Sequence, residues 1–254
     1  MHGWLDNAGS FDLLAPLLTG CHVVAFDAAG HGKSGHRSLD AGYNIWQEVG
    51  DVHEIALALG WDRFSLLGHS RGGAVATLFA GTFPDRIENL LLVEGGLPFI
   101  GEAADAPAHL AQVIERMRVL RERSGRVFER RDDAVAERVD GFSPVSREAA
   151  EVLARRSLCE VSGGWQWQAD RRLKAGSDIR LTQELLSAFV NRVTASAICV
   201  LAEDSPFGDL DLYRDMLGLI DGIETHRIAG RHHFHLEGAA EEIAAHLIRF
   251  LDAR

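Results

Sequence analysis

Cysteine is scarce in this sequence of 254 residues, and no long apolar run is present. Cys21, Cys159 and Cys199 are far apart and form neither a CxxC pair nor an even-numbered set, so free thiols in a reducing compartment are expected. No apolar stretch approaches the roughly 18 residues of a membrane span, and the N-terminus lacks the basic and apolar regions of a secretion signal. These absences predict a cytoplasmic protein.

Basic residues are also in the minority, with 26 Lys and Arg against 37 Asp and Glu and a formal net charge of −11. Nucleic acids and anionic membrane surfaces attract basic proteins, so this charge argues against both as partners. Hydrophobic residues make up 46% of the sequence, which is enough to build a packed core. We therefore expect a folded protein whose partner is a small molecule, as a monomer or a homodimer.

Short apolar runs alternate with helical patterns along most of the chain, which predicts a doubly wound α/β fold with a mostly parallel sheet. The stretch 98–194 breaks this rhythm, because it has helical patterning without a convincing strand, and it indicates an inserted helical unit. Residues 1–97 and 195–254 would then form the α/β core. The predicted strands are 22–26, 64–67, 90–93, 197–201 and 224–228.

The strongest motif is a GxSxG sequence directly after the run 64–67 and before a helical pattern that starts at Ala74. In a sharp strand-to-helix turn the backbone at the serine is strained and its hydroxyl is exposed, and flanking glycines leave room because they have no Cβ. This order predicts that Ser70 is a nucleophile between the elbow glycines Gly68 and Gly72. The alternative is a glycine-rich turn without chemistry.

An oxyanion hole requires two backbone N–H donors near the nucleophile. The first would be Arg71, because the start of a helix presents N–H groups and the positive end of the helix dipole. The second would be Trp4 in the sequence His2-Gly3-Trp4, which on its own is a weak signal. Each donor is worth about 2.7–4 kcal/mol of the reaction barrier.

A serine hydroxyl also needs a base, usually histidine, and an acid that orients the imidazole. In a GxSxG hydrolase the chain order is serine, acid, histidine. The last predicted strand is followed by three histidines in a loop, and one of them should be the base: His232, His233 and His235.

These motifs resemble, in order, the α/β-hydrolase superfamily over nearly the whole chain, and most closely the serine-hydrolase-like proteins with a helical cap. The resemblance implies a lid, residues 98–194, over Ser70. Relatives have roughly two or three strands before the His-Gly motif, so we expect N-terminal strands of the sheet to be missing. Four segments carry the similarity: 2–7 (HGWLDN), 27–34 (DAAGHGKS), 68–73 (GHSRGG) and 164–167 (GWQW).

The resemblance puts His232 on the catalytic position and His235 in a packing role, with His233 as the alternative if the loop shifts by one residue. Two positions for the acid stay open. Asp204 follows the run 197–201 at the commoner site, although strict alignment puts Ser205 there. Glu94 ends the run 90–93, where some relatives, including certain haloalkane dehalogenases, carry the acid. If it is not the acid, Asp204 would be an ordinary loop carboxylate. Glu94, if it is not the acid, would cap the first turn of the lid.

The leading hypothesis is therefore a serine hydrolase that cleaves an ester, thioester or lactone through an acyl-enzyme on Ser70, with no cofactor and no metal. Carbon–carbon bond hydrolysis and cofactor-free perhydrolysis are alternatives on similar frames, and a catalytically silent binding protein is an alternative of another class. A metallohydrolase is disfavoured, because His31, His36 and the 232–235 histidines lack HExxH or comparable spacing. Four residues could line an apolar pocket, although packing inside the lid is their commoner role: Phe99, Met117, Trp165 and Trp167.

Overall fold

A computed structural model describes residues 1–141, 143–205 and 211–253. Its strands, numbered along the chain, are β1 (Phe64–His69), β2 (Ile87–Val93), β3 (Leu158–Val161), β4 (Gly164–Trp167), β5 (Ser196–Ala202) and β6 (Glu224–Ile228). Its α-helices are α1 (Ile45–Ala58), α2 (Arg71–Thr82), α3 (Ala106–Glu122), α4 (Arg131–Val139), α5 (Arg147–Ser157), α6 (Gln183–Val190), α7 (Asp211–Leu217), α8 (Phe234–Glu237) and α9 (Ala240–Asp252). Short 3₁₀ helices lie at Ala8–Phe11, Ala15–Leu17, Pro84–Arg86, Ala103–Asp105 and Arg171–Ala175.

The central sheet has the order β1-β2-β5-β6, and all of its pairs are parallel. Its two middle strands are almost purely apolar because both of their faces are buried. Leu90 and Leu92 of β2 belong to the core that packs α1 and α2 on the sheet, whereas Leu91 and Val93 point into the core beneath α9. Four of the five predicted strands are thereby confirmed, as is the doubly wound architecture.

The prediction of a strand at 22–26 is wrong, because this segment has no regular structure and Val23 and Val24 are exposed. A strand needs a backbone partner, and β1 does not supply one. An apolar groove of about 360 Å³ is lined by both the segment and β1. The outer edge of β1 instead pairs with Met1, whose amino group donates to the Leu67 carbonyl at 2.5 Å and whose carbonyl accepts the His69 N–H at 2.9 Å.

The segment between β2 and β5, residues 98–194, contains α3 to α6, as the helical pattern indicates, and also an unexpected hairpin. Strands β3 and β4 pair antiparallel, with Gly163 in the turn at φ +90° and Gly164, the first residue of β4, at φ +139°. A β-carbon at Gly164 would lie 2.0 Å from the Phe128 carbonyl oxygen, so the second glycine also permits a close backbone contact. Strands of four residues are too short to show a period of their own, which is why the sequence did not reveal them.

All three thiols are free, as expected. Cys21 is exposed and Cys159 is half-buried, whereas Cys199 is fully buried in β5. Burial, with a smaller contribution from Glu94, raises the pKa of Cys199 to about 12. Among the helices of the described residues, none combines the length and the apolar character that crossing a bilayer requires.

Candidate active site

The turn between β1 and α2 has the geometry of a nucleophile elbow. Ser70 adopts φ +52° and ψ −120°, and its N–H donates to the Val93 carbonyl at 3.1 Å. A β-carbon at Gly68 would lie 2.4 Å from the Gly72 carbonyl oxygen, and one at Gly72 would lie 2.4 Å from the Met1 carbonyl oxygen. Only glycine fits both positions without displacing backbone. The side chain of Ser70 is half-buried, so its hydroxyl stays within reach of solvent.

The oxyanion segment, residues 2–8 around the predicted donor Trp4, lies against this elbow. A β-carbon at Gly3 would approach Nδ1 of His69 to 2.8 Å, and Trp4 follows directly. Leu5 has φ +61°, and its N–H donates to Nε2 of His31 at 3.2 Å. Burial lowers the pKa of His31 to about 4, so this imidazole is neutral and can accept at neutral pH. The strained segment is therefore held by a specific partner.

Arg71 is the first residue of α2, so its backbone N–H is among those that have no acceptor within the helix. Its guanidinium is directed elsewhere, with Nη2 donating to Oε1 of Glu48 at 2.5 Å. The backbone of Arg71, rather than its side chain, is thus the group that the elbow presents at the helix start.

Glu94 and His232 meet at the carboxyl ends of the strands. Glu94 directly follows β2, is fully buried and has φ +47°. His232 donates from Nδ1 to Oε1 of Glu94 at 3.4 Å, and the Ala202 N–H donates to Oε2 at 2.8 Å. This contact leaves Nε2 of the half-buried His232 as the second nitrogen of the ring.

Asp204, the other position considered for the acid, has an exposed side chain. Its backbone N–H donates to the Gly230 carbonyl at 3.2 Å, which joins the end of β5 to the histidine loop. Ser205, the residue that strict alignment puts at the acid position, is buried. Of the two carboxylates that the sequence left open, Glu94 is the one that contacts His232.

His233 and His235 have surroundings different from that of His232. His233 is buried and donates from Nε2 to Oδ2 of Asp6 at 3.2 Å. His235 is fully buried, and its ring centre lies 4.0 Å from that of His69. Burial and the neighbouring His233 lower the pKa of His235 to about 3, so this ring is neutral and packs in the interior.

His69, His232 and His233 offer nitrogen atoms within 4.8 Å of one another, a spacing that could hold a metal ion. One nitrogen of each ring is already engaged in a hydrogen bond with the chain. His69 donates from Nε2 to the His232 carbonyl at 2.9 Å, while the other two rings donate to Glu94 and Asp6. We interpret the cluster as a hydrogen-bond network around the serine.

Three further residues that the sequence motifs did not single out as functional join this network: Asp6, His69 and Arg138. The side chain of Asp6 is almost fully buried and accepts from Nη2 of Arg138 at 2.9 Å. Asp6 and His69 lie inside the motifs HGWLDN and GHSRGG, so their positions in these motifs were an available signal. Arg138 gave no signal, because it is remote in sequence and lies on a charged helix.

The four residues considered for an apolar pocket are divided between packing and exposure. Met117 packs with Val113 and Ala175 inside the segment 98–194. Trp167 packs beside α5 and donates from Nε1 to the Ala134 carbonyl at 3.2 Å, and the backbone of Trp165 pairs with Phe128. Phe99 is 71% exposed.

A family model of the α/β-hydrolase fold matches residues 1–174. The chain belongs to the α/β-hydrolase-fold family. A serine hydrolase-like protein of Danio rerio is 32% identical over 99% of this chain and 80% of its own length, and serine hydrolase-like protein 2 of Homo sapiens is 31% identical over 89% and 74%. These relatives support a hydrolase of the serine hydrolase-like type.

Two solved structures superpose closely on this chain. A hypothetical protein of Pseudomonas aeruginosa PAO1 superposes with a TM-score of 0.92 at 43% identity, covering 99% of this chain and 88% of that one. A thioesterase domain from the curacin biosynthetic pathway superposes with a TM-score of 0.84 at 22% identity, covering 98% and 89%. The second likeness bears on the fold alone.

Proposed function

We propose that the protein hydrolyses a small ester, thioester or lactone through an acyl-enzyme on Ser70, with His232 as the general base and Glu94 as the acid. The observation that carries this proposal is the fully buried Glu94 carboxylate at 3.4 Å from Nδ1 of His232, beside a serine at φ +52° in a strand-to-helix turn. A carboxylate on Nδ1 fixes the tautomer in which Nε2 can accept the serine proton.

The reaction then follows from the groups at the elbow. Ser70 Oγ attacks the substrate carbonyl carbon while its proton passes to Nε2 of His232, and Glu94 stabilises the resulting imidazolium. The backbone N–H groups of Trp4 and Arg71 bind the oxyanion. The imidazolium returns its proton to the leaving group, and water activated by the same imidazole releases the acid and regenerates Ser70.

We also propose that residues 98–194 act as a lid over this centre, with residues 1–97 and 195–254 as the catalytic core. Support comes from contacts of the segment with both catalytic regions. Nε1 of Trp4 donates to the Leu173 carbonyl at 3.1 Å, and the Ser146 N–H donates to Oε1 of Glu237 at 2.5 Å. A lid in this position would select the substrate by shape.

Labelling with a fluorophosphonate probe tests the proposal, because it reports activation of the serine without requiring the natural substrate. We expect the wild type to be labelled and Ser70→Ala to be unlabelled. Ser65→Ala is the matched control, since Ser65 lies on the same strand and its hydroxyl contacts Asn89 away from the elbow. Folded wild-type protein that is not labelled would contradict the proposal and favour a ligand-binding protein.

A substrate panel then separates the three acyl classes. Wild type and Ser70→Ala are compared on p-nitrophenyl acetate, on a short acyl thioester of N-acetylcysteamine and on a γ-lactone. Turnover that depends on Ser70 in one class assigns the substrate chemistry.

A further inference from the structure

Asp6 is a buried carboxylate that the proposed reaction does not use, and the side chains around it come from three parts of the molecule, two of which donate hydrogen bonds to it. Nη2 of Arg138, on α4, donates to Oδ1 at 2.9 Å. Nε2 of His233, in the loop after β6, donates to Oδ2 at 3.2 Å, and Nδ1 of His69, at the end of β1, lies 3.7 Å from the same oxygen. Asp6 lies two residues after Trp4, His233 directly follows His232, and His69 directly precedes Ser70, so these contacts adjoin the proposed oxyanion, base and nucleophile residues.

The strength of these contacts depends on whether the Asp6 carboxylate is ionised. Burial alone would raise the pKa of Asp6, but attraction to His233 and Arg138 and the His233 hydrogen bond hold it well below the usual range. The carboxylate is therefore ionised at neutral pH. Removing one partner of a buried ion pair leaves an uncompensated charge, so the structure around it must rearrange.

Arg138 forms a fork between two segments. Nη1 donates to the Ser143 carbonyl at 2.7 Å, while Nη2 reaches Asp6, and the side chain is only 15% exposed. Asn7, which follows Asp6 in the sequence, also contacts the segment 98–194. Its Nδ2 donates to the Leu153 carbonyl at 2.9 Å and to Oγ of Ser157 at 2.7 Å. Two consecutive residues of the oxyanion segment are thus bonded to the segment 98–194.

We propose that Asp6 and Arg138 form a positioning pair that couples the segment 98–194 to the oxyanion residue Trp4 and to the His232 loop. The catalytic consequence rests on the proposed function, whereas the coupling itself does not. A displacement of α4 would move Asp6, and Trp4 is only two residues away in a strained loop. Closure of the segment over a substrate would then set the oxyanion hole and the imidazole at the same time.

Backbone hydrogen exchange of the full-length chain, measured by mass spectrometry, tests the coupling without any substrate. We expect Arg138→Met to accelerate exchange about fivefold or more in residues 2–7 and 232–235, which is the scale of a typical coupling between sites. Arg130→Met is the matched control, because Arg130 immediately precedes the same helix, is exposed and pairs with Asp133 of that helix rather than with Asp6. It should leave both segments unchanged.

The rate of fluorophosphonate labelling supplies the functional readout. Arg138→Met and Asp6→Asn should each slow labelling about fivefold or more, and the double variant should be no slower than the singles, because both changes break one unit. With p-nitrophenyl acetate the loss should fall on kcat rather than on KM. Arg138→Lys keeps the charge but not the fork, so its rates should lie between those of wild type and Arg138→Met.

Each outcome decides one part of the proposal. Equal exchange in the Arg138→Met and Arg130→Met variants, or a uniform acceleration over the whole chain, would overturn the coupling. Local acceleration with unchanged labelling would overturn the positioning role. Local acceleration in a protein whose wild type is never labelled would retain the coupling and reject the proposed function. If Arg138→Met does not fold, Arg138→Lys carries the same comparison.

Discussion

Leu5, Ser70 and Glu94 are the non-glycine residues with a positive φ in the described part of the chain, and all three lie at the candidate site. Such conformations cost about 1–3 kcal/mol each and persist only where the surroundings enforce them. The enforcing contacts are present, since the N–H groups of the three residues donate to His31, the Val93 carbonyl and the Val200 carbonyl, respectively. Strain concentrated in this way is typical of a site whose geometry has been selected over stability.

The two carboxylates left open by the sequence can be separated by substitution. Glu94→Ala should lower kcat/KM for p-nitrophenyl acetate by about 10³- to 10⁴-fold, because an imidazole without its acid adopts the wrong tautomer. Asp204→Ala should change it less than about twofold, since that side chain is exposed. Circular dichroism of both variants checks that they are folded. A large loss in Asp204→Ala alone would reverse the assignment.

At the residue scale, the sequence identifies what is local and leaves open what depends on the fold. Ser70 could be singled out because strand, turn and helix are contiguous. The choice between Glu94 and Asp204 could not be made, because both follow neighbouring strands and only the packed sheet decides which carboxylate faces the imidazole. Arg138 is 132 positions from Asp6, so no local pattern links them.

The elbow leaves no room for a side chain at Gly72. Gly72→Ala should reduce labelling to background and lower the melting temperature, because the new methyl group would lie 2.4 Å from the Met1 carbonyl and 2.6 Å from the His2 carbonyl. Gly50→Ala is the matched control, since Gly50 lies within α1 with open space around it. That variant should be about 0.5–1 kcal/mol more stable, from helix propensity. A labelled, stable Gly72→Ala variant would contradict this geometry.

Strands with a clear apolar pattern and a neighbouring strand to pair with were predicted correctly. Segments whose structure depends on pairing that the apolar pattern does not show were not. The middle strands β2 and β5 are buried on both faces, so their apolar runs are unambiguous. The segment 22–26 has the same composition but no strand to pair with. The hairpin of β3 and β4 was missed for the opposite reason, because its half-buried strands are stabilised by pairing with each other.

At the scale of the whole molecule, the buried carboxylate of Asp27 joins segments that are far apart in sequence. It accepts the N–H groups of Ala8 at 2.8 Å and Lys33 at 2.7 Å, and both of its oxygens accept from Nε of Arg156 at 2.8 Å. Arg156 belongs to α5, so this site joins the oxyanion segment and the segment 98–194 to the rest of the fold. We expect the segment 98–194 and the rest of the fold to unfold in one transition.

The pKa of Asp27 predicts how stability depends on pH. Burial would raise this pKa, but the hydrogen bonds from Arg156, Ala8 and Lys33 outweigh it and lower it from the ordinary value. A lowered folded pKa means that the stabilisation is present above about pH 4, the unfolded value, and is lost as the pH falls through the folded value. Asp27→Asn should cost about 1–3 kcal/mol at pH 7, and less as the pH drops below 4.

Urea unfolding at pH 7, 5 and 3 measures this difference. Asp62→Asn is the control, because the Asp62 side chain is exposed and only its backbone carbonyl accepts from Arg86. The gap between wild type and Asp27→Asn should narrow only at the lowest pH, whereas Asp62→Asn should follow the wild type throughout. A gap that stays constant from pH 7 to pH 3 would contradict the predicted direction of the pKa shift.

The fully buried Cys199 has a practical consequence. A thiol with a pKa of about 12 in the middle of the sheet is almost inert to alkylating reagents, while the exposed Cys21 is accessible to them. Modification of Cys199 therefore requires opening of β5, the strand that supports Glu94 through the Ala202 N–H. At reagent concentrations where alkylation outpaces closing, counting alkylated cysteines over time by mass spectrometry would report the opening rate of the central sheet without any substitution in the chain.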